Sequence, residues 1–126
     1  MRTTNVYIIA DLSYGSAKFI KQIQQFIIKA NRACLSEQSV QLHIIGFNDK
    51  AKILSPFESL KPQGNPNFNK ALDLLSSIML YNKKYSPFMT RSIIIWLSSF
   101  IILRGYEGAF YKLNNQTEFS RAIRYT

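Results

Sequence analysis

The most restrictive feature of this chain is a pair of continuous apolar runs, Val6-Tyr7-Ile8-Ile9-Ala10 near its start and Ile93-Ile94-Ile95-Trp96-Leu97 further on. Neither alternates polar with apolar, so neither reads as a strand with one wet face. A strand that is apolar at every position is covered on both sides, the condition of a parallel sheet flanked by helices. The segment after Val6–Ala10 supplies a helix of the required kind. Phe19, Ile20, Ile23, Phe26, Ile27, Ala30 and Ala33 recur on one face, with Lys18, Lys21, Gln22, Gln25, Lys29 and Arg32 on the other. Val40 to Phe47 is a third mostly apolar run, and Asn48-Asp49 signals a turn into Ala51 to Leu54, a short antiparallel hairpin partner. Ser55 to Pro66 reads as a loop. Asn67 or its neighbour can cap a second helix with an inward face of Phe68, Ala71, Leu72, Leu75, Ile78 and Met79, and Lys83 to Thr90 reads as a loop again.

Strands separated by single helices predict an α/β fold of Rossmann-like order, a mostly parallel sheet with one short antiparallel edge strand and helices on both faces. With 126 residues, 47% of them hydrophobic, the chain is expected to form one domain over 1–126. After Ser98-Ser99 the pattern weakens. Phe100 to Leu103 extends the strand or forms a loop, and Thr117 to Tyr125 has slight helical character.

Several function classes are set aside by what the residues do not offer. The longest apolar run, Ile93 to Leu103, is interrupted by Ser98 and Ser99 and is too short to span a membrane. The polar lead Met1 to Asn5 with its brief apolar sequel is no signal peptide. A lone Cys34 and a lone His43 make neither a disulfide nor a Cys/His zinc cage, so a reducing, cytoplasmic setting is expected. His43 in mid-strand reads as a packed core histidine and Cys34 as buried filler. Phe19, Phe26, Phe47, Phe68 and Trp96 fall at core spacings, and Gly15 and Gly64 are too isolated for a phosphate-cradling loop. Nothing points to an enzyme. The formal charge of +9 admits a basic nucleic-acid-binding module as an alternative, but the lysines and arginines are scattered from Arg2 to Arg124 rather than gathered in a stripe.

In open α/β sheets the ligand site lies outside the carboxyl ends of the strands. That directs attention to Asp11 to Ser16, Phe47 to Asp49 and Ser98 to Phe100, where one carboxylate and several hydroxyls gather. Val6 to Ser16, the helix after it, the hairpin at Asn48-Asp49, Gly64 to Leu75 and Ile93 to Leu97 together resemble a von Willebrand factor type A domain, nearest its bacterial tellurium-resistance-associated branch. The family's metal-ion-dependent adhesion site uses Asp-x-Ser-x-Ser after the first strand, a Thr before a later helix and an Asp after the next strand. Their oxygens hold a Mg2+ whose open position takes a partner's carboxylate.

Here the first motif reads Asp11-Leu12-Ser13-Tyr14-Gly15, with Ser16 one residue late. Pro66 falls at the threonine position and Ser99 at the second aspartate. The resemblance therefore implies a degenerate site of Asp11, Ser13 and Ser99, with no metal or a weakly held Mg2+, since that ion relies on carboxylates to offset its lost water. Without metal, Asp11 serves as a local acceptor ordering the loop, and the serines bond the nearby backbone. The function implied is a non-enzymatic protein-interaction domain, an acidic protein among its candidate partners, with Tyr14, Ser16 and Asn67 as contact residues. The alternative is a functional, weak Mg2+-dependent adhesion site. In the family further strands follow the one equivalent to Ile93–Leu97. A chain shortened at that point leaves Ile93–Leu97 as an open edge, and self-association or pairing with another chain along it is expected.

Overall fold

The computed structural model describes residues 3–85, 90–98 and 109–112. In chain order these form β1 (Thr3–Asp11), a 3-10 turn (Tyr14–Phe19), α1 (Ile20–Leu35), β2 (Val40–Phe47), β3 (Ala51–Ile53), α2 (Phe68–Tyr85), β4 (Thr90–Ser98) and β5 (Ala109–Lys112). The strands make one sheet in the order β3-β2-β1-β4-β5. All neighbours run parallel except β3, which returns antiparallel beside β2. The α/β architecture and the antiparallel edge strand are those the apolar runs predict.

β1 lies at the centre of the sheet, which explains why it is apolar throughout. Ile8 faces Ile44 on one neighbour and Ile95 on the other, and Ile9 faces Ile45 and Trp96. Alternate side chains enter opposite layers. Ile8, Ala10, Ile44, Ile95 and Leu97 pack with Phe19, Ile23 and Ile27 under α1. Tyr7, Ile9, Ile45, Phe47, Ile94 and Trp96 pack with Ala71 and Leu75 under α2. Burying each such aliphatic side chain contributes roughly 1.5–3 kcal/mol. The faces predicted for both helices are those buried, except that Ala33, at the end of α1, is exposed. Cys34, expected as buried filler, is only half-buried, next to the last residue of α1.

One polar group of side chains interrupts the layer under α2. Tyr7 stacks on His43 with ring centroids 4.8 Å apart, and Asn82 Nδ2 donates to the Tyr7 hydroxyl at 2.8 Å. His43 Nε2 lies 2.9 Å from Oδ1 of the buried Asn5. His43 is thus a packed, hydrogen-bonded strand histidine, as its mid-strand position suggests. Burial holds its pKa below the ordinary histidine value and raises that of the Tyr7 phenol.

Two expectations need correction, and three more fall outside the described residues. The open edge expected along Ile93–Leu97 is occupied, because β5 pairs with Ile95–Ser98 and makes β4 an interior strand there. The signal was missed because Ala-Phe-Tyr-Lys is a four-residue stretch with no periodicity of its own. The loop expected from Lys83 begins later, since α2 continues through Tyr85. Phe100–Leu103, Thr117–Tyr125 and Ser99 lie outside the described residues.

Candidate functional site

The chain enters the sheet at its centre, crosses by α1 to β2 on one side, and later crosses by α2 to β4 on the other. The chain thus leaves the central strand in one direction and returns on its other side, so the adjacent carboxyl ends of β1 and β4 mark the switch point where ligands bind in open α/β sheets. Asp11 closes β1 and Ser98 closes β4, one step beyond the Ala10–Leu97 pair of the register.

Asp11 is fully buried. Its Oδ1 accepts the backbone N–H of Ser13 at 2.9 Å and its Oδ2 accepts the Ser98 hydroxyl at 3.0 Å. The first bond is an Asx turn that starts the loop, and the second ties β1 to β4. Ser98, which the sequence reading did not single out, reaches Asp11, and the parallel register would have identified it, because residues opposite one another end their strands together.

The loop beyond is held from the other side. Leu12 N–H donates to Phe47 C=O at 2.8 Å, Gln63 N–H to Leu12 C=O at 2.9 Å, and Tyr14 N–H to Gly64 C=O at 3.0 Å. Gly64 takes φ 76°, a left-handed conformation that glycine adopts without strain, and a Cβ there would run into the Asp49 carboxylate. Asp49 Oδ1 in turn accepts Asn65 N–H at 3.2 Å. Asn67 caps α2 as predicted, its Oδ1 accepting Lys70 N–H at 3.2 Å while its own N–H donates to Asn48 C=O at 2.8 Å. Three loops are thus knitted into one rim.

The expected contact residues divide on burial. Tyr14 is 69% exposed at the crest of the rim. Ser16 is fully buried, which corrects its expected place on a partner-facing surface: the 3-10 turn from Tyr14 rotates it inward. Asn67 is half-buried with its side-chain oxygen committed to the helix cap. The hydroxyls of Ser13 and Ser16 are buried without a hydrogen-bond partner among the described residues.

The donor set bears on the cation that the family resemblance implies. Asp11 is one carboxylate whose two oxygens already accept protein donors, Pro66 has no side-chain oxygen, and the second-aspartate position Ser99 lies outside the described residues. No three of His, Cys, Asp and Glu come together among the described residues. Mg2+ is usually held by one or two carboxylates with waters or phosphate. One carboxylate with the Ser13 and Ser16 hydroxyls is a donor set at the lower limit of what Mg2+ takes, and the Pro66 position adds nothing to it.

Comparison with protein-family models and with curated protein sequences finds no match. Solved structures do match. Three N-terminal domains of the type V pili tip protein Mfa5 from Porphyromonas gingivalis align over 90% of this chain and 22% of theirs, with a TM-score of 0.60 and 16% identity. The vWF domain of the same pilus tip protein aligns over 90% of this chain and 42% of its own, with a TM-score of 0.57 and 14% identity. The chain thus spans less than half the length of either solved relative. At this identity the likeness establishes the fold, which is that of a von Willebrand factor A domain.

Proposed function

We propose that this chain is a non-enzymatic protein-interaction domain of von Willebrand A type that recognises its partner through the rim of loops at the carboxyl end of the sheet, without a bridging cation. The observation that carries this reading is Asp11. At the position where the family places its first metal ligand, each carboxylate oxygen accepts one protein hydrogen bond, from Ser13 N–H and from the Ser98 hydroxyl. Protein hydrogen bonds tie the rim together, and it presents the exposed ring of Tyr14, the kind of amphipathic side chain that anchors interfaces. The tie to the bacterial tellurium-resistance-associated branch and the cytoplasmic setting belong to the same reading and rest on the sequence alone.

A second reading, a weak Mg2+ site on Asp11, Ser13 and water, is favoured by one observation, the unpartnered Ser13 and Ser16 hydroxyls beside the Asx turn. Thermal unfolding in millimolar Mg2+ or Mn2+ against chelator, with Asp11→Ala alongside, separates the two. The first reading expects no shift of the midpoint. A rise that disappears in Asp11→Ala replaces it with the second. Partner recognition is tested by a photo-crosslinking residue at Tyr14 in the native host, with one at Lys29 on the far side of α1 as control. Adducts at position 14 alone, unchanged by chelator, are expected; equal adducts at both positions, or none, refute the reading.

A further inference from the structure

The opposite end of the sheet from β5 carries a second surface, independent of the loop rim. β3 is the last strand on that side among the described residues. Its hydrogen-bond phase follows from two bonds at its ends: Asn48 N–H donates to Lys50 C=O and Leu54 N–H to Ile44 C=O, both at 2.8 Å. In the register Ile45–Ile53, Gly46–Lys52, Phe47–Ala51, these set the narrow, hydrogen-bonded pairs at Lys50, Lys52 and Leu54. Antiparallel ladders alternate, so the N–H and C=O groups of Ala51 and Ile53 point away from β2, toward the outside.

Side chains on the two faces of this edge differ in character. Lys50, Lys52 and Leu54 line a cavity of about 350 Å³ shared with Glu58 and Lys61. Lys52 pairs with Glu58 at 3.0 Å, and neither Lys50 nor Lys61 has an ion pair among the described residues. On the other face Ile53 is 64% exposed. We propose that the outer edge of β3 docks an extended acidic segment of a partner protein, which adds a strand to the sheet. Its main chain would bond Ala51 and Ile53. Its alternate side chains would place carboxylates toward Lys50 and Lys61 and apolar groups over Ile53, the division of labour found in strand addition.

Lysines on an edge strand also discourage indiscriminate pairing. That role supports the choice of occupant. A second copy of this edge would bring lysine rows against each other, and like charges across a ladder are destabilising. A strand of alternating carboxylates meets the same row as a complement, in keeping with a chain of net charge +9.

The test uses a short synthetic peptide alternating Glu with Val, and its Lys-for-Glu counterpart, titrated into the isotope-labelled full chain. The acidic peptide is expected to move the amide signals of Ala51 and Ile53, and the basic one is not. Lys50→Glu with Lys61→Glu should weaken binding at least tenfold. Ile53→Pro should abolish it while sparing the β2 ladder, because it removes an outward-pointing donor. Should that variant not fold, the charge reversal decides. Tyr14→Ala should bind the peptide unchanged, which separates this edge from the loop rim. The proposal is overturned by an absence of shifts at millimolar peptide, by equal binding of the basic peptide or of the charge-reversed variant, or by dimerisation of the chain through this edge.

Discussion

Replacing Asp11 tests whether the rim is held by protein contacts alone. Asp11→Ala removes the acceptor of two bonds, leaving the Ser13 N–H and the Ser98 hydroxyl in a buried site. Hydrogen bonds to a charged acceptor are worth about 1.5–3 kcal/mol each. The lower end applies here, because the Ser98 hydroxyl can rotate and the substitution also relieves the cost of burying a carboxylate. The expected loss is about 3 kcal/mol. Asp11→Asn keeps an oxygen for Ser13 N–H and offers an amide donor toward Ser98, whose hydroxyl can accept, so about 1 kcal/mol should be lost. In urea, with a slope on the order of 2 kcal/mol/M, the alanine variant should unfold about 1.5 M earlier and the asparagine variant about 0.5 M earlier. The ordering must hold in the presence of chelator. A loss under about 1 kcal/mol for Asp11→Ala, or equal losses for the two variants, would refute the clamp.

Other consequences are simpler. Gly64→Ala should cost about 1–2 kcal/mol from the left-handed backbone alone, and more from the approach of its Cβ to Asp49, read as a lower urea midpoint. Leu75→Ala, at a fully buried position on the inner face of α2, should cost about 2–5 kcal/mol in the same assay; a change under about 1 kcal/mol would place that helix wrongly. Stability should fall with pH below about 6.5, the unfolded histidine value. The folded-state pKa of His43 lies lower, so the unfolded chain takes up the proton first, and the loss proceeds until the folded-state value is passed. His43→Gln should flatten that part of the profile; an unchanged slope between pH 7.5 and pH 5.5 would assign the effect elsewhere.

The architecture was legible because its causes are local and repeated. Val6–Ala10 and Ile93–Leu97 are apolar at every position because both faces are covered, and the 3.6-residue stripes of the helices match the layers that cover them. The turn at Asn48-Asp49 and the cap at Asn67 are likewise short-range chemistry that residue type reveals. Asp11 at the carboxyl end of β1 was legible too, from topology rules alone.

What the sequence could not determine depended on distance. Ser98 meets Asp11 because parallel register brings residues 87 positions apart together. Ser16 is buried because a 3-10 turn, and not the first turn of α1, follows the loop. β5 covers β4 although its four residues carry no pattern, since a short strand is stabilised by the ladder it joins rather than by its own propensity. Likewise, Ala51 and Ile53 turn their backbone groups outward by a phase that two hydrogen bonds set and no residue type encodes. Local chemistry specified the elements of this protein; only their pairing decided which side chains face each other, and therefore where it can bind.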